Sequence, residues 1–389
     1  MASPAAKDPI IIGTVGRMCT VTVMDESDPD IRFEADGACH YVREWQAFAA
    51  KLPTRGARVD RLAKLVARIK ADGRNKRFDS VLGLSGGVDS SYAAWITKDL
   101  GLRPLIVHFD NGWNNELAVN NIENIVSKLD FELHTVVMNW PEFRDIQRAY
   151  FRASVVDLEV PTDHMILGAL HRIAAKHRVR HILSGTNNIT EWLLPRAWYY
   201  RKFDEVNIRA IHKKFGELPL KHFPAFGLWQ QAWYQKARRI ESTHILDLVD
   251  YDREKAKALL IEQLGWRDYG GKHHESVFTR FYQGYILPRK FGIDKRKAHL
   301  SQMILAGQMT RDEALVKLAE PTYTLGLQQS DKTYVAKKLG FSDETFEKLL
   351  NLPNVAHEDY GTDLAQRRQY FSLLRAVRPV RNLIHRSKG

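Results

Sequence analysis

The residues of this chain best suited to chemistry lie in one short loop, and they are Ser85, Gly86, Gly87, Val88, Asp89, Ser90 and Ser91. Two consecutive glycines allow backbone N–H groups to close on phosphate oxygens, and the serine hydroxyls add further donors. Asp89 brings a negative charge that a purely phosphate-binding loop does not need, and Mg²⁺ between its carboxylate and the phosphates would account for it. The structural alternative is a tight strand-to-helix turn that Ser90 caps.

The elements that must position this loop are short apolar runs alternating with stretches of helical spacing. Strands are predicted at residues 81–84, 105–109, 133–138 and 181–184, and residues 244–249 are a candidate fifth strand. Helices are predicted at 90–100, 115–129, 142–157 and 162–178. Repeated β-α-β units of this kind predict an α/β fold, a doubly wound parallel sheet with helices on both faces.

The chain as a whole divides into three predicted regions. Residues 1–50 form an irregular N-terminal unit, residues 51–250 the α/β domain, and residues 251–389 a helical C-terminal domain. A capping box at Thr310 and an N-cap at Ser342 predict two of the C-terminal helices.

Composition restricts the class of protein without choosing its partner. The chain has 44% hydrophobic and 27% charged residues, which excludes a disordered chain, and its net charge of +12 fits phosphate-rich partners. The basic residues are spread out, so charge alone does not select among them. No apolar run reaches the roughly 18 residues of a membrane helix, and the start does not read as a signal peptide. With only Cys19 and Cys39, a disulfide scaffold is excluded and a cytoplasmic protein is expected.

The glycine loop is neither a Walker A loop nor a Gly-x-Gly-x-x-Gly dinucleotide loop. It resembles the PP-loop of the N-type ATP pyrophosphatases, which include the NAD, GMP, asparagine and argininosuccinate synthetases and the tRNA thiolation enzymes. The resemblance implies cleavage of ATP to AMP and pyrophosphate, with a carbonyl oxygen activated as its adenylate. It also implies that the loop holds the β- and γ-phosphates, and that the nucleotide is lined at the first two strands by Gly83, Leu84, His108 and Phe109.

A second string follows the fourth predicted strand and is similar to the corresponding loop of NAD synthetase. It reads Gly-Thr-Asn-Asn-Ile-Thr-Glu over residues 185–191. The resemblance places Gly185 and Thr186 at phosphate and Glu191 at Mg²⁺. A second carboxylate suits this chemistry, because two anionic oxygens beside a triphosphate can fix a metal in octahedral geometry. The alternative is that Glu191 only opens a polar loop before Trp192.

Three further stretches, residues 110–122, 161–164 and 290–301, narrow the resemblance. They begin Asp-Asn-Gly-Trp-Asn-Asn-Glu, Pro-Thr-Asp-His and Lys-Phe-Gly-Ile-Asp-Lys-Arg-Lys. Together with the loop they resemble the N-acetyl sugar amidotransferases of lipopolysaccharide O-antigen and pseudaminic-acid-type flagellar glycan synthesis in bacteria. The resemblance runs from about residue 18 to residue 315, and the last 70 or so residues add little to it.

This closer resemblance implies a reaction and its partners. The acetamido oxygen of a nucleotide-linked sugar would attack the α-phosphorus of ATP, and ammonia would then displace AMP to leave an acetamidino group. Because no glutaminase domain is found in the chain, use of glutamine would require a separate glutaminase subunit. Asp163 is a candidate base for the acetamido N–H or for ammonia, although it and Thr162 could instead cap a helix. Lys290 is a candidate catalytic residue within a basic clamp, with a surface charge cluster as the alternative.

The sequence departs from this family at its start, where relatives carry two Cys-x-x-Cys pairs. Here the pairs read Cys19-Thr-Val-Thr22 and Cys39-His-Tyr-Val42, so half of the thiolates are missing. Zinc is therefore not expected, and the two cysteines are expected to pack in a degenerate knuckle.

Two weaker substrate-side candidates remain. The basic and aromatic segment 196–202 could bind a nucleotide, or it could form a solvated helix face with a packed stripe. Residues 272–275, after Gly270 and Gly271, could form a mobile lid.

Two other functions stay open. A tRNA-modifying ATP pyrophosphatase of the lysidine-synthetase kind needs no cysteine, and its affinity would fall steeply with salt. A non-catalytic nucleotide-binding subunit of a glycan-synthesis complex would not need Asp89 and Glu191 to position Mg²⁺. ATP and Mg²⁺ are the expected cofactors, and neither nucleic acid nor membrane insertion is expected.

Overall fold

A computed structural model describes residues 13–271 and 274–386, with side chains described as far as residue 375. Its helices and strands follow in the order α1 (His40–Ala49), α2 (Arg55–Asp72), β1 (Ser80–Gly83), α3 (Val88–Asp99), β2 (Pro104–Asp110), α4 (Glu116–Lys128), β3 (Glu132–Val137), α5 (Trp140–Ala153), α6 (Val160–Lys176), β4 (His181–Ser184), α7 (Asn188–Glu191), α8 (Glu205–Phe215), α9 (Leu228–Lys236), β5 (Glu241–His244), α10 (Arg253–Leu264), α11 (Val277–Phe281), α12 (Lys295–Leu305), α13 (Arg311–Ala319), α14 (Leu325–Leu339), α15 (Asp343–Leu350) and α16 (Leu364–Arg386). A π-helix, Tyr282–Phe291, continues α11.

One sheet organises the centre of the molecule. Within the described residues it has five strands in the order β3-β2-β1-β4-β5, and every neighbouring pair is parallel. The chain winds outward from β1 to β3 and then returns to place β4 on the other side of β1. The predicted doubly wound parallel sheet is confirmed. Ligands of such sheets bind outside the carboxyl ends of the strands where the winding direction changes, which here lies between β1 and β4.

The two faces of the sheet are covered by different helices because consecutive strand residues point to opposite sides. Leu82 is completely buried among residues of α2, α3, α4 and α10. Its neighbour Val81 is equally buried on the other face, where Ile173 of α6 contacts the same cluster. Both faces are therefore packed with apolar side chains at the centre of the sheet, and room for a ligand is left toward its ends and edges.

The predicted fifth strand at residues 244–249 is wrong in its position. The strand is the polar segment β5, whereas the apolar residues that follow form a 3₁₀ turn, Ile245–Leu248. Ile245 and Leu246 are fully buried in the core on the α3 side of the sheet. β5 is an edge strand held by backbone pairing to β4, so it needs no apolar pattern, and the apolar run marks the turn that packs beneath it.

The N-terminal unit is anchored by helices from the far end of the chain. Lys297 of α12 forms an ion pair with Asp25, with 2.5 Å between Nζ and Oδ2, and both side chains are at most 1% exposed. Arg311 of α13 donates from Nε to the carbonyl of Thr22 at 3.1 Å. The first twelve residues of the predicted unit lie outside the described residues. The expectation that the start is not a signal peptide concerns this stretch.

The C-terminal region is helical, and its first helix belongs to the sheet. Leu260 of α10 is buried against α3 and α4, which cover one face of the sheet. The boundary predicted at residue 250, between the α/β domain and the helical C-terminal domain, stays a prediction. Further on, Arg280 and Asp331 form a buried two-point ion pair, with both N–O distances 2.8 Å, that joins α11 to α14. The capping box at Thr310 and the N-cap at Ser342 are confirmed. None of the helices within the described residues combines the length and apolar character needed to cross a bilayer.

Candidate nucleotide site

The glycine loop lies at the carboxyl end of β1 and runs directly into α3. Gly86 has φ +82°, and a Cβ at this position would lie 2.5 Å from the carbonyl oxygen of Ala118, so only glycine fits. The hydroxyls of Ser85 and Ser90 lie 3.1 Å apart, and the Gly87 amide donates to Ser85 Oγ at 3.3 Å. The loop therefore presents hydroxyls and backbone amides at the start of a twelve-residue helix, an arrangement suited to an anion.

The second predicted loop follows β4, the strand next to β1. The Ser184 hydroxyl donates to Thr186 Oγ1 at 3.0 Å, and Thr186 is exposed at the end of the strand. Asn187 caps the short helix α7, which carries Glu191 in its single turn. The Asp247 carboxylate holds this turn in place by accepting from the amide and the side chain of Asn188, at 2.7 and 2.6 Å.

The two loops touch each other through their backbones. A Cβ on Gly185 would lie 2.7 Å from the carbonyl carbon and oxygen of Asp89 and from the amide nitrogen of Ser90. Glycine at position 185 therefore lets the loop after β4 press against the first turn of α3. The structure thus brings the two predicted phosphate loops together at the point where the winding direction of the sheet changes.

Both predicted metal-binding carboxylates lie close to one tyrosine. The Tyr251 hydroxyl donates to Asp89 Oδ1. Burial raises the pKa of Tyr251 far above its ordinary value, and the charges of Asp89 and Glu191 both add to the rise. On the other side, the hydrogen bond to Asp247 raises the pKa of His244, and the Glu191 charge contributes to that shift as well. Tyr251 thus lies within electrostatic reach of both carboxylates.

This donor set fits Mg²⁺ in part. Carboxylate and hydroxyl oxygens are the ligands that Mg²⁺ prefers, and the ion usually takes one or two carboxylates together with substrate phosphates. Among residues 13–271 and 274–386, no group of three or more His, Cys, Asp or Glu side chains is arranged to hold a metal ion. Asp89 and Glu191 therefore fit a metal that is also held by phosphate oxygens.

A segment between α10 and α11 packs over the glycine loop, and sequence reasoning missed its contribution. Trp266 donates from Nε1 to the carbonyl of Gly86 at 2.8 Å. A Cβ built on Gly87 would lie 3.2 Å from the hydroxyl of Tyr269 and 3.5 Å from Glu275 Oε1. Burial raises the pKa of Tyr269, with the Glu275 charge adding to it. Part of the predicted lid, Lys272 and His273, lies outside the described residues.

The same segment is tied to the loop that follows β2. The Asn115 amide donates to the Glu275 carbonyl at 2.8 Å, and the Val277 amide donates to the Trp113 carbonyl at 2.8 Å. The segment therefore runs across the carboxyl edge of the sheet from β1 to β2. The aromatic residues were visible in the sequence, but nothing in their spacing connected them with a loop 180 residues away.

The two residues predicted to line the nucleotide at the second strand point to opposite faces of the sheet. His108 borders a cavity of about 360 Å³ on the α4 side, together with Asn114 and Ile122. Its ring is placed between the Leu84 carbonyl, 3.2 Å from Nδ1, and Asn114 Nδ2, 3.0 Å from Nε2. Burial lowers the pKa of His108, so its ring is neutral at pH 7 and Nδ1–H donates to the carbonyl.

Phe109 borders a different cavity of about 460 Å³ that lies between the sheet and α6. The two side chains therefore lie on opposite faces of the sheet, and the roles of His108 and Phe109 in lining a nucleotide stay predictions. Gly83 also faces α6, with Leu170 3.5 Å from a Cβ built on it, while Leu84 is buried on the α3 side. Of the two strand residues, His108 lies on the same side of the sheet as α3, the helix that begins at the glycine loop.

The candidate base Asp163 lies in the first turn of α6. Its carboxylate is 44% exposed and forms an ion pair with Lys202 Nζ at 2.9 Å, which in turn contacts the fully buried Asp157 at 2.8 Å. The capping alternative for Thr162 and Asp163 is wrong, because the helix begins at Val160 after Glu159, with no side-chain cap. The catalytic role of Asp163 stays a prediction.

Lys290 makes its contacts in the C-terminal helical region. Its ammonium group donates to the carbonyls of Leu349, Leu350 and Leu352, at 3.4, 3.2 and 2.7 Å, at the end of α15. Burial lowers its pKa to about 8. These contacts give Lys290 a helix-capping role, and its predicted catalytic role stays untested.

The segment 196–202 is largely core. Trp198 is fully buried, and Tyr200 stacks on His357 with ring centroids 4.0 Å apart. Arg201 pairs with Asp204 and Asp363 at 2.5 Å. The packed stripe expected under the second alternative is present in Trp198 and Tyr200, although the segment contains a 3₁₀ turn, Arg196–Trp198, in place of a regular helix face.

The two cysteines lie together in the N-terminal unit. The Cys39 and Thr22 amides donate to Cys19 Sγ at 3.1 and 3.3 Å, and Thr22 Oγ1 lies 3.6 Å from Cys39 Sγ. The hydrogen bond from Cys39 lowers the pKa of the Cys19 thiol. Thr22 thus lies beside both sulfurs, at the position where the resembled family has the second cysteine of its first Cys-x-x-Cys pair.

Comparison with known proteins finds a family model that matches one part of the chain. Residues 275–375 match the family model described as "LPS biosynthesis protein WbpG-like, C-terminal domain". This match extends well beyond residue 315, so the expectation that the last 70 or so residues carry little family resemblance is wrong. A search of curated proteins gives no significant match.

Several solved structures are similar at low sequence identity. NMN synthetase from Francisella tularensis is 14% identical over 75% of this chain and 98% of its own, with a TM-score of 0.34. NH3-dependent NAD synthetase from Campylobacter jejuni is 16% identical over 76% of this chain and 96% of its own, with a TM-score of 0.30. A predicted subunit of tRNA methyltransferase from Methanocaldococcus jannaschii is 15% identical over 46% of this chain and 73% of its own, with a TM-score of 0.27.

Proposed function

We propose that this chain is an ATP-dependent amidotransferase of bacterial surface-glycan synthesis. Its substrate would be a nucleotide-linked sugar whose acetamido group is converted to an acetamidino group, with release of AMP and pyrophosphate. The match of residues 275–375 to a lipopolysaccharide biosynthesis domain supports the glycan context. The resemblance of the glycine loop to the PP-loop supports the use of ATP.

One observation carries the proposal: the contact between the two loops. Gly185 presses against the backbone of Asp89 and Ser90, so hydroxyls and amides of both loops border the same space. Asp89 and Glu191 both act on Tyr251, which means that two carboxylates lie near that space too. Phosphate donors and carboxylates side by side suit a triphosphate neutralised by a metal.

In the proposed reaction, the acetamido oxygen bonds to the α-phosphorus of ATP. The bond from this phosphorus to the bridging oxygen breaks, pyrophosphate leaves with the electron pair, and the acetamido nitrogen gives up its proton. Ammonia then bonds to the imidate carbon, the carbon–oxygen bond breaks, and AMP leaves with that electron pair. The added nitrogen loses a proton, which leaves the neutral acetamidino group.

The residues of the chain would divide this work. Mg²⁺ held by Asp89 and Glu191 would supply the positive charge that neutralises the phosphates. The amides and hydroxyls at Ser85, Gly87 and Ser90 would orient the pyrophosphate end, and the N-terminus of α3 would favour its negative charge. Tyr251 would hold the Asp89 carboxylate in one orientation. Asp163 remains the candidate base for the acetamido N–H.

The test is a product assay with defined substrates. The protein is incubated with ATP, Mg²⁺, ammonium and a panel of nucleotide-linked acetamido sugars, and nucleotides and sugars are followed by chromatography and mass spectrometry. We expect AMP, pyrophosphate and a sugar product about one mass unit lighter, since C=O is replaced by C=NH. Formation of ADP instead of AMP would exclude the proposed adenylate. Ammonium should support the reaction, whereas glutamine alone should not, because a separate glutaminase subunit is proposed for its use.

Matched variants separate the carboxylates from general charge effects. Asp89→Asn and Glu191→Gln should each abolish AMP formation, while Asp99→Asn, at the exposed end of the same helix α3, should leave it unchanged. Thr22→Cys, in the N-terminal unit, should also leave it unchanged. Wild-type turnover by the Asp89 variant would show that the metal assignment is wrong.

A further inference from the structure

An arginine that sequence reasoning did not single out, Arg253, is the first residue of α10. Ala256, Leu260 and Leu264 follow it at spacings of three, seven and eleven residues, and all three are buried in the cluster that also contains residues of α3. These spacings belong to one face of a helix, so Arg253 lies on the face of α10 that packs against α3. Its side chain is only 19% exposed, although arginine is usually a surface residue.

Two tyrosines place Arg253 beside the glycine loop. Tyr251, two residues before it, donates to Asp89 at the start of α3. The hydroxyl of Tyr269 lies 3.2 Å from a Cβ built on Gly87. Burial raises the pKa of both tyrosines, and the positive charge of Arg253 opposes the rise in each. The guanidinium therefore lies within electrostatic reach of two hydroxyls that border the loop.

The charge of Arg253 is only partly compensated by the protein. Its Nη1 lies 3.2 Å from Oε1 of Glu254, whose side chain is 68% exposed, and ion pairs of this kind are weak. The carboxylate of Asp268 is within reach of the same charge, but it is paired with Lys257 at 2.5 Å. Nε of Arg253 is buried and has no hydrogen-bond partner in the part of the chain that the structure describes. A buried donor without a partner is costly, and an anionic ligand beside the loop would satisfy it.

We propose that Arg253 is a phosphate-binding residue of the nucleotide site, and that its guanidinium donates to the two outer phosphates of ATP and to the pyrophosphate that leaves. A guanidinium presents several donors in one plane, which matches the spacing of phosphate oxygens. The glycine loop, residues 85–91, offers amides and hydroxyls but contains no lysine or arginine. Arg253 supplies the fixed positive charge that the loop lacks. This inference rests on the proposed function in taking ATP as the ligand, and it adds a residue from outside both phosphate loops.

The phosphates of three ligands separate this role from a structural one. ATP and inorganic pyrophosphate both carry the phosphates that Arg253 contacts, whereas AMP carries only the innermost phosphate. A residue that merely shapes the loop affects the binding of all three ligands. A residue that binds the outer phosphates affects ATP and pyrophosphate and spares AMP.

The test measures equilibrium binding of ATP, pyrophosphate and AMP, each with Mg²⁺, to the full-length protein by titration calorimetry. Arg253→Gln should weaken binding of ATP and of pyrophosphate by roughly 10- to 100-fold, the loss expected for a hydrogen bond to a charged group, and should leave AMP binding unchanged. Arg253→Lys keeps the charge but loses the planar fork, so it should recover part of the loss. Lys255→Gln is the matched control, because it removes a charge from the same turn of α10 where the side chain is 86% exposed, and it should change none of the three affinities.

Thermal melting accompanies each titration. Without ligand, Arg253→Gln should melt close to the wild type, because the ion pair that it loses is with an exposed side chain. With pyrophosphate it should lose most of the upward shift in melting temperature that the wild type shows. If Arg253→Gln does not fold, Arg253→Lys carries the comparison, since it should still weaken ATP and pyrophosphate and spare AMP.

The outcomes distinguish this inference from the proposed function. Unchanged binding of ATP and pyrophosphate by the Arg253 variants, or equal weakening of AMP, would overturn the role of Arg253 while leaving the amidotransferase proposal in place. Failure of the wild-type protein to bind either ATP or pyrophosphate would overturn both. The titrations contain no sugar, so they decide on Arg253 whichever product the chain forms.

Discussion

Replacing Gly185 by alanine is a direct test of the contact between the two loops. The added Cβ would lie 2.7 Å from backbone atoms of Asp89 and Ser90, against the 3.4 Å at which ordinary contacts begin. The difference, 3.4 minus 2.7, means that the loops must separate by about 0.7 Å. Because the obstructing atoms belong to the backbone, no side-chain rotation can relieve the overlap. The φ of Gly185 lies outside the left-handed region, so alanine adds no backbone strain of its own.

The separation should affect stability and activity to different extents. Overpacking of this kind typically costs about 1–3 kcal/mol of unfolding free energy, which a protein of ordinary stability survives. A displacement of about 0.7 Å at phosphate-binding groups should reduce turnover by roughly 10- to 100-fold, since misplacement by 1 Å can cost about 100-fold. AMP formation at saturating ATP measures the second effect, and urea unfolding followed by circular dichroism measures the first.

Gly83→Ala is the matched control at the end of the neighbouring strand. Its Cβ would meet only the Leu170 side chain, at 3.5 Å, which is an ordinary contact. This variant should keep wild-type stability to within about 1 kcal/mol. It is a control for stability alone, because Gly83 is itself predicted to line the nucleotide. If Gly185→Ala had the stability and turnover of the wild type, the two loops would not be in contact and the site would have to be rebuilt. Equal damage from both variants would mean that any change near the strand ends is harmful.

The remaining predictions concern the segment over the loop, a buried ion pair and the buried histidines. Trp266→Phe removes the donor to the buried Gly86 carbonyl, so it should cost about 1–3 kcal/mol of unfolding free energy and raise the KM for ATP. An unchanged KM would argue against a role of Trp266 in positioning the glycine loop. Asp331→Asn leaves the buried Arg280 uncompensated and should cost about 3–5 kcal/mol, and a loss below about 1 kcal/mol in urea unfolding would contradict the packing of α11 on α14. Burial lowers the pKa of five histidines, His108, His164, His171, His177 and His357. The unfolded chain therefore binds more protons, and stability present above pH 6.5 should be lost as the pH falls below about 6.5. His171→Leu should flatten this dependence by up to about 1.4 kcal/mol per pH unit between pH 6.5 and 5, and an unaltered slope would show that this histidine does not titrate on unfolding.

Local patterns predicted the sheet well because they arise from neighbouring residues. Strand residues alternate between faces and strand ends are marked by glycine, so the strands at β1 to β4 and the loops that follow them could be predicted. The sequence placed the edge strand β5 at the wrong residues, because β5 is held by backbone hydrogen bonds to β4 and does not need an apolar pattern. The same alternation separates His108 from Phe109, which a motif-level resemblance treats as neighbours in one pocket.

Roles that depend on distant partners could not be predicted in the same way. The sequence makes Lys290 a candidate catalytic cation. In the structure its ammonium group instead donates to a carbonyl at the end of α15, about 60 residues further along the chain. The sequence allows Asp163 to be a base and favours a helix cap slightly, whereas the structure pairs its carboxylate with Lys202. In both cases the side-chain type was visible, while the partner depended on how the helices pack.

The amino-acid sequence by itself determined the glycine loop, the second loop after β4 and the alternation that makes their sheet parallel and doubly wound. Only the tertiary structure brought Gly185 against Asp89 and placed Tyr251 and Trp266, which lie 162 and 180 residues from their partners, over the loop. The physical reason is the range of the forces involved. Backbone conformation and strand period are set by residues adjacent in sequence, whereas contacts across such separations form only when buried surfaces fit together.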